Sequence, residues 1–499
     1  MIDWKLITKI LWPGYPKFPN CRVAPFEELW PDALTMGTLY IGRQGTGKTT
    51  SLARHLVEYF KTYPDRAIFV LDWSGSITDS ILTLIASEPE GVKARLLQRV
   101  VYDDIGNPDW VIPMPEFSSL YGNSYEEQAQ RVANNFAKLA PELVSNAPFI
   151  AGLALREIAP QLFRLCAAIS NESGWSWQAT EAKRLVKDLP LLRHAVAKYG
   201  FKAPEAKWFF EKSFLPLKEN ERELRTYAIL ALLGAIETPS ARARVGYHQP
   251  GWTPREAIKN GLMVLVNGTR LINQRNTQHY LFTQAYSLIM SEMNRRTPSN
   301  PNDKPVALVM DEVYSLLSIP GMAEEVGMLA PLYRSRKLEL YIVLQALSQL
   351  ALTLREQIWS IGNIVSFAVS NFQESYELAQ QIFTYEPQTI KLTAKTDTGQ
   401  PIVETDRGQY LQIANEIQRM KHRECIVRRY QSEKILDRYV RWVKKTKDIP
   451  ANPDYELIEE MKERLLKQRG VSVRVALDEI NQRNITIETK ARSQVPPAL

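Results

Sequence analysis

The stretch 42–49 has the residue types and spacing of a loop that binds phosphate. It reads Gly-Arg-Gln-Gly-Thr-Gly-Lys-Thr, after four strand-like residues and before an amphipathic helix. The glycines let backbone N–H groups turn toward an anion without side-chain collisions, and the start of the helix adds a favourable dipole. Lys48 would contact the β- and γ-phosphates, and the hydroxyl of Thr49 would bind Mg²⁺.

This loop predicts a site for a nucleoside triphosphate, with ATP and Mg²⁺ as the expected ligands. The residues expected to form it are Gly42, Gly45, Thr46, Gly47, Lys48, Thr49 and Thr50.

An acidic pair follows a strand-like run much further along the chain. Val306–Met310 is apolar throughout, as in a buried parallel strand, and Asp311 and Glu312 come directly after it. Asp311 would hold Mg²⁺, directly or through water, and Glu312 would orient and deprotonate the attacking water. By itself this pattern is common, and an ordinary capped turn would also explain it. Together with the phosphate loop in one α/β domain, it predicts hydrolysis of ATP as well as binding.

Four further polar positions lie near these motifs. Gln345 follows the next strand-like run, and its amide could sense the γ-phosphate or simply cap the strand. Arg334 and Arg336 precede that run, and a guanidinium can stabilise the γ-phosphate oxygens, often from a neighbouring subunit. We favour Arg336, although an ordinary surface arginine is the alternative for both. Asp72 either lies near the metal or caps the turn to Gly75, and we predict no catalytic role for it.

Strand-like runs alternate with helical segments around these residues. The runs are 38–41, 67–71, 99–102, 261–266, 306–310, 340–344, 364–369 and 424–428. This alternation predicts an α/β fold with a mostly parallel sheet. Several runs end in acidic residues, among them Asp103 and Asp104, at the edge where such sheets bind ligands.

The α/β pattern is interrupted by a helical block that we expect to be an inserted all-helical domain with its own core. The predicted organisation is an irregular lead-in (1–35), the first part of the α/β domain (36–124), the helical insertion (125–240), the second part of the α/β domain (241–430) and a basic helical tail (431–499). The polar stretch 395–408 reads as a hairpin or surface loop. Helices on either side of Gly470 would allow a helix–turn–helix.

A basic segment spans the boundary between the α/β domain and the tail. Residues 421–447 contain ten Lys or Arg against three acidic residues, interleaved with aromatic residues. Such a segment could contact DNA phosphates and stack on bases, or it could be a solvated helix face.

The overall composition restricts the class of protein. The chain has 499 residues, a net charge of +7 and three widely spaced cysteines, which argues against a disulfide framework or a zinc site. No window has about twenty consecutive apolar residues, so we predict no membrane span. The expected location is the cytoplasm, either free or peripheral at the inner face of the membrane.

The order of these motifs resembles the FtsK/HerA superfamily of P-loop motors. The stretches 42–49, 72–75 and 306–312 occur in the order of that superfamily, with the helical insertion between the second and third. The most specific match is 332–350, which contains Arg336-Lys, Gln345 and Ser-Gln-Leu350. Within the superfamily the chain is most similar to the coupling proteins of type IV secretion and conjugation, over roughly residues 36–430.

The resemblance implies a RecA-like core, a homo-hexameric ring with nucleotide sites between subunits, and ATP-driven movement of DNA through the pore. It implies that the helical domain recruits substrate, and that secretion-channel or relaxosome proteins are partners in conjugative transfer. Carried over to this sequence, it gives these roles: Lys48 and Thr49 on phosphate and Mg²⁺, Asp311 on the metal, Glu312 on the water, Gln345 as sensor and Arg336 as a finger reaching a neighbouring subunit.

Some features depart from the family, and two other functions stay open. Coupling proteins usually begin with membrane-spanning helices, and their second strand usually ends in Asp-Pro-Lys-Gly where this chain has Asp-Trp-Ser-Gly at 72–75. The basic tail is also unusual. The cargo could be protein instead of DNA, as in secretion ATPases, or the chain could bind nucleotide without hydrolysis as an assembly scaffold. The sequence does not distinguish single-stranded from double-stranded DNA.

Overall fold

The computed structural model describes most of the chain. The described residues are 22–24, 37–143, 154–173, 177–319, 321–359, 361–383, 390–395, 401–403, 405–430, 438–443, 445–450 and 453–493. The structural statements that follow concern these residues.

A sheet of ten strands forms the centre of the molecule. With strands numbered along the chain, their spatial order is β1 (Arg22–Ala24), β13 (Arg438–Val443), β12 (Cys425–Tyr430), β9 (Asn363–Ser366), β2 (Thr38–Ile41), β8 (Leu338–Leu344), β7 (Val306–Met310), β3 (Ala67–Asp72), β6 (Met263–Asn267) and β4 (Val100–Asp104). The seven strands from β9 to β4 are parallel, whereas β12 runs antiparallel to both β9 and β13. This sheet confirms the predicted α/β class.

The parallel strands are buried on both faces. Every residue of β2, β3, β7 and β8 is buried, although successive side chains point to opposite sides of the sheet. Such continuous burial is typical of a parallel sheet covered by helices on both faces. It explains why these segments read as unbroken apolar runs in the sequence.

Helices connect and cover the strands. They are α1 (Lys48–Thr62), α2 (Ser76–Ala86), α3 (Glu90–Leu97), α4 (Tyr125–Leu143), α5 (Ala159–Ser173), α6 (Ala179–Lys187), α7 (Leu189–Tyr199), α8 (Pro204–Phe209), α9 (Glu219–Leu233), α10 (Pro239–Gly246), α11 (Pro254–Asn260), α12 (Arg275–Asn294), α13 (Val313–Leu317), α14 (Met322–Tyr333), α15 (Leu352–Ile358), α16 (Phe372–Ile382), α17 (Asp406–Arg419), α18 (Tyr455–Arg469) and α19 (Val473–Ser493).

The insertion is helical, as predicted, but its core is continuous with that of the sheet domain. Helices α4 to α9 occupy it, and α10 and α11 extend the helical region to the strand β6. The ring of Phe136 on α4 lies 5.4 Å from that of Phe163 on α5 and 4.4 Å from that of Tyr280 on α12. The buried side chains of both regions therefore form one cluster, and the prediction of a separate core was wrong.

The sheet extends beyond Tyr430, the residue at which the α/β domain was predicted to end. Part of the basic segment 421–447 forms β12 and β13 and is therefore strand, not a helix face. Within the lead-in that was predicted to be irregular, β1 pairs with β13. The antiparallel strands β10 (Ile390–Lys395) and β11 (Pro401–Val403) overlap the stretch 395–408 that was predicted as a hairpin or surface loop, whereas α17 begins inside that stretch at Asp406.

The two predicted helices near the C-terminal end of the sequence are present as α18 and α19. A two-residue strand, β14 (Val471–Ser472), lies between them and pairs with β5 (Trp110–Val111), so the connection after Gly470 is extended; the helix–turn–helix stays a prediction. Arg483 of α19 forms a buried ion pair with Glu181 of α6 at 2.7 Å. Within the described ranges, no helix combines the length and apolarity needed to cross a membrane.

Candidate nucleotide site

The strand order brings the predicted site residues to one edge of the sheet. β8 lies between β2 and β7, and all three strands run parallel. Their carboxyl ends therefore lie side by side. The loop 42–49 follows β2, Gln345 follows β8 and Asp311 follows β7. These residues line a cavity of about 380 Å³, whose walls are Gln44, Gly45, Gly47, Lys48, Thr49, Thr50, Ser74, Ser76, Asp311, Glu312, Val343, Leu344, Gln345 and His422.

The loop has the backbone conformation that its glycines predict. Gly45 and Gly47 have φ angles of 75° and 102°, which residues other than glycine rarely adopt. A Cβ atom on Gly47 would also lie 2.8 Å from Cγ of Arg423, whereas one on Gly45 would meet open space. Helix α1 begins at Lys48 without a side-chain cap, so its first N–H groups remain available to an anion.

Lys48 is a buried cation inside this loop. Its Nζ donates to the carbonyl of Gly42 and, at 3.0 Å, to that of Arg43. Burial lowers the pKa of Lys48 to about 8, against the opposing effect of the carboxylates of Asp311 and Glu312. Phosphate oxygens would replace neutral carbonyl partners with charged ones, so the lysine suits a phosphate ligand. Two of the predicted loop residues, Gly42 and Thr46, are not part of the cavity wall.

The carboxylates on the other side of the cavity are crowded together. Asp311 is buried, and burial, together with the carboxylates of Asp72 and Glu312, raises its pKa to about 7. The hydroxyl of Ser76 donates to Asp311 at 3.3 Å. A divalent cation would offset this repulsion, and the hydroxyl and carboxylate oxygens of Thr49, Ser76 and Asp311 are the ligands that Mg²⁺ prefers. The donor set therefore fits Mg²⁺.

Glu312 has an unusual backbone conformation, with φ 45° and ψ 47°. This left-handed geometry is rare for a glutamate and commonly occurs at functional sites. The hydroxyl of Tyr314 lies 3.4 Å from the Oε2 atom of Glu312. The carboxylate of Glu312 lines the cavity beside Asp311, as expected for a residue that would bind a water molecule there.

Asp72 caps a turn, which is one of its two predicted roles. It is fully buried, and its carboxylate accepts the N–H of Gly75 at 2.7 Å and that of Thr78 at 2.8 Å. These bonds hold the start of α2, from which Ser76 reaches the cavity. The charge of Asp72 also acts on the neighbouring Asp311, so its influence on the site is electrostatic.

Gln345 and Arg336 lie at opposite ends of β8. Gln345 follows the strand and lines the cavity, whereas Arg336 lies before its other end; the strand between them is about 20 Å long. The guanidinium of Arg336 donates to the carbonyl of Asn294 at 2.7 Å, at the end of α12. Arg336 thus lies outside the nucleotide cavity of its own chain, and any contact with phosphate would have to be with that of a neighbouring subunit. Arg334 belongs to the same short 3₁₀ helix as Arg336 (Arg334–Arg336).

Four polar side chains of the cavity wall were not among the predicted site residues: Gln44, Ser74, Ser76 and His422. Ser76 follows the capped turn after β3, so the Asp-Trp-Ser-Gly motif at 72–75 marks its position indirectly. His422 belongs to the segment before β12, and its Nδ1 lies 2.7 Å from the carbonyl oxygen of Gly45, 377 residues away. No local pattern in the sequence indicates that contact.

No family model and no curated protein matches the chain. Several solved structures are similar to it in fold. The bacterial conjugative coupling protein TrwBdeltaN70, unbound, is 14% identical with a TM-score of 0.55 over 85% of this chain and 88% of that chain. TrwB in complex with ADP and Mg²⁺ is 15% identical, with a TM-score of 0.52 over 85% and 88%. TrwB with the GTP analogue GDPNP is 14% identical, with a TM-score of 0.52 over 84% and 87%.

These matches extend over 84–85% of the chain at 14–15% sequence identity. They confirm, at the level of the fold, the resemblance to coupling proteins that the order of motifs predicts. The chain has the fold of the conjugative coupling protein TrwB, an α/β RecA-like core with a helical insertion.

Proposed function

We propose that this protein is an ATP-driven motor of the coupling-protein type, which hydrolyses ATP to move DNA through a homo-hexameric ring during conjugative transfer. The observation that carries the proposal is the meeting of Lys48, Asp311, Glu312 and Gln345 in one cavity beside a glycine loop. Those side chains come from three neighbouring strands and have the types that phosphoryl transfer to water requires.

Each residue has a role that follows from its chemistry. The N–H groups of the loop and the ammonium of Lys48 hold the phosphates of ATP, and Thr49 and Asp311 hold Mg²⁺. The metal ion would neutralise charge on the phosphates. Glu312 accepts the proton of the attacking water, and Gln345 orients that water or the γ-phosphate. Arg336 is proposed to act on the site of a neighbouring subunit.

The fold supports the assignments of a bound nucleotide and of the coupling-protein type. TrwB, which shares the fold, has been solved with ADP and Mg²⁺ and with a GTP analogue, and it is a plasmid coupling protein. The hexameric ring, the DNA cargo and contacts with secretion-channel or relaxosome proteins come from the family resemblance and belong to this proposal. A cytoplasmic location, free or peripheral at the inner membrane face, belongs to it as well.

The decisive experiment measures ATP hydrolysis with and without single- and double-stranded DNA. We expect stimulation by DNA, and weaker DNA binding as salt rises. Glu312→Gln should lower the turnover number by about 10²- to 10⁴-fold while ATP still binds, because a general base contributes to the chemical step alone. Glu324→Gln, at an exposed position of α14, is the matched control and should leave turnover unchanged.

The other outcomes identify the alternative functions. Hydrolysis that responds to a protein substrate and not to DNA would make the protein a secretion ATPase. Binding of ATP with no measurable turnover in the unmodified protein, under any of these conditions, would make it an assembly scaffold.

A further inference from the structure

The strand order divides the edge of the sheet into two sides. From the phosphate-loop strand β2, the strands β8 and β7 lie on one side and carry Gln345, Asp311 and Glu312. The strands β9 and β12 lie on the other side. Because β12 is antiparallel to β9, its amino end and the preceding residue His422 lie at the same edge as the loop. Neighbouring strands are about 4.8 Å apart, so β7 and β12 lie roughly 10 Å from β2 in opposite directions.

His422 is held firmly against the phosphate loop. Its Nδ1 bonds to the carbonyl of Gly45 at 2.7 Å, and the N–H of the next residue, Arg423, bonds to the carbonyl of Thr46 at 2.9 Å. Arg423 has a left-handed φ of 64° and forms an ion pair with Asp448 at 2.8 Å. These contacts fix the segment and present the exposed imidazole to the cavity.

The bond to Gly45 determines which nitrogen carries the proton. A carbonyl oxygen only accepts hydrogen bonds, so Nδ1 of His422 must be the donor. In the neutral ring, Nε2 is then an acceptor. By the geometry of the ring it points away from Gly45. The side chain thus offers a flat aromatic face and one acceptor.

The direction of a bound triphosphate follows from the carboxylates. Its γ-phosphate must lie beside Glu312 if that residue is to act on the attacking water. The nucleoside must therefore extend toward the other side of the loop, where His422 lies. We propose that His422 forms a nucleoside subsite, stacking its ring on the base while Nε2, in the plane of the ring, accepts a hydrogen bond from a ribose hydroxyl; this inference rests on the proposed nucleotide function.

The test compares ATP with inorganic tripolyphosphate, which has the phosphates but no nucleoside. Calorimetry in the presence of Mg²⁺, in the Glu312→Gln background, gives the affinity for each ligand without turnover. His422→Asn keeps an amide donor near the position of Nδ1, so the bond to Gly45 is retained, but it removes the ring. We expect its affinity for ATP to fall by about 5- to 150-fold, the range for loss of one aromatic–base stack, and its affinity for tripolyphosphate to change by less than about twofold.

His248→Asn is the matched control, because His248 pairs with Glu479 at 2.9 Å outside the cavity, and it should change neither affinity. Equal losses for both ligands in His422→Asn would mean that His422 only supports the loop, and unchanged affinities would mean that it contacts nothing; either result overturns the inference alone. If the protein with His422 intact binds neither ligand, the proposed nucleotide function fails too.

Discussion

Two strands end in acidic pairs at the same edge of the sheet, and the two pairs differ in the cations around them. After β7, Asp311 and Glu312 face a lysine whose Nζ bonds to loop carbonyls. At the end of β4, Asp103 and Asp104 each bond to an arginine of the chain itself. The first pair is arranged for an external cation, whereas the second is already neutralised from within.

The pair on β4 shows how complete this internal neutralisation is. Both Arg244 and Asp103 are fully buried, and their bidentate ion pair is supported by the indole N–H of Trp252, which bonds to Asp103 at 3.1 Å. A second cavity of about 490 Å³ adjoins Asp104, but α18 lines it with side chains of both charges. An acidic residue at a strand end is therefore a structural residue where an arginine of the chain bonds to it, as in the β4 pair, and a candidate metal ligand where the nearby cation bonds elsewhere, as Lys48 does.

The largest effect should come from removing the buried cation at β4. Arg244→Met leaves the carboxylate of Asp103 buried without its partner, so we expect the free energy of unfolding to fall by about 3–5 kcal/mol. Urea denaturation measures this loss, and Asp103→Asn in the same chain should restore much of it. A loss below about 1 kcal/mol in the single variant would contradict the structural role assigned to the pair.

Removal of the carboxylate at β7 should have the opposite effect and raise stability. Because the folded-state pKa of Asp311 is about 7, against an ordinary value of 3.8, its ionisation opposes folding. This cost is absent below about pH 4, grows as the pH rises to about 7 and is constant above that. Asp311→Asn should therefore stabilise the nucleotide-free protein at pH 8 by up to ~4 kcal/mol, at about 1.36 kcal/mol per pKa unit.

Thermal unfolding in the presence of a chelator, at pH 5 and pH 8, would test this sign. The advantage of Asp311→Asn over the unmodified protein should be larger at pH 8. The same variant should lose the stabilisation that Mg²⁺ with ATP gives the unmodified protein. Lower stability than the unmodified protein at pH 8 would show that Asp311 is satisfied internally, as Asp103 is.

The smallest effect should come from Arg270, which is about half exposed in its 2.8 Å contact with Asp104. Solvent screens such a pair, so Arg270→Gln should cost about 1 kcal/mol of stability or less, and ATP turnover should stay the same. Chemical denaturation and a turnover assay together test both parts. A marked fall in turnover would mean that the edge at β4 takes part in the nucleotide chemistry after all.

The parts of the fold and site that depend on local sequence could be predicted. The phosphate loop requires glycine at positions fixed by a single turn, and buried parallel strands require unbroken apolar runs. The loop 42–49 and the strand Val306–Met310 could therefore be predicted from the sequence alone. The α/β class followed from their alternation with helices. Gln345 was found for the same reason, because its position is set by the end of a strand.

The remaining features depend on which segments meet across the sheet. β13 forms because β12 offers it an edge to pair with, a condition that composition does not reveal, and a count of basic residues alone suggested a helix face. The pairing of Arg244 with Asp103 joins residues 141 positions apart. Nothing in either local sequence distinguishes Asp103 from Asp311, and only the position of the arginine does.

The segment that carries His422 and Arg423 also has a consequence for biosynthesis. The glycine loop leaves the ribosome early, but the wall that packs on it is translated several hundred codons later. A nascent chain that is interrupted before that point would have the phosphate-binding motif without its second wall. A chain that ends before His422 therefore lacks one wall of the nucleotide cavity, although its glycine loop is already present.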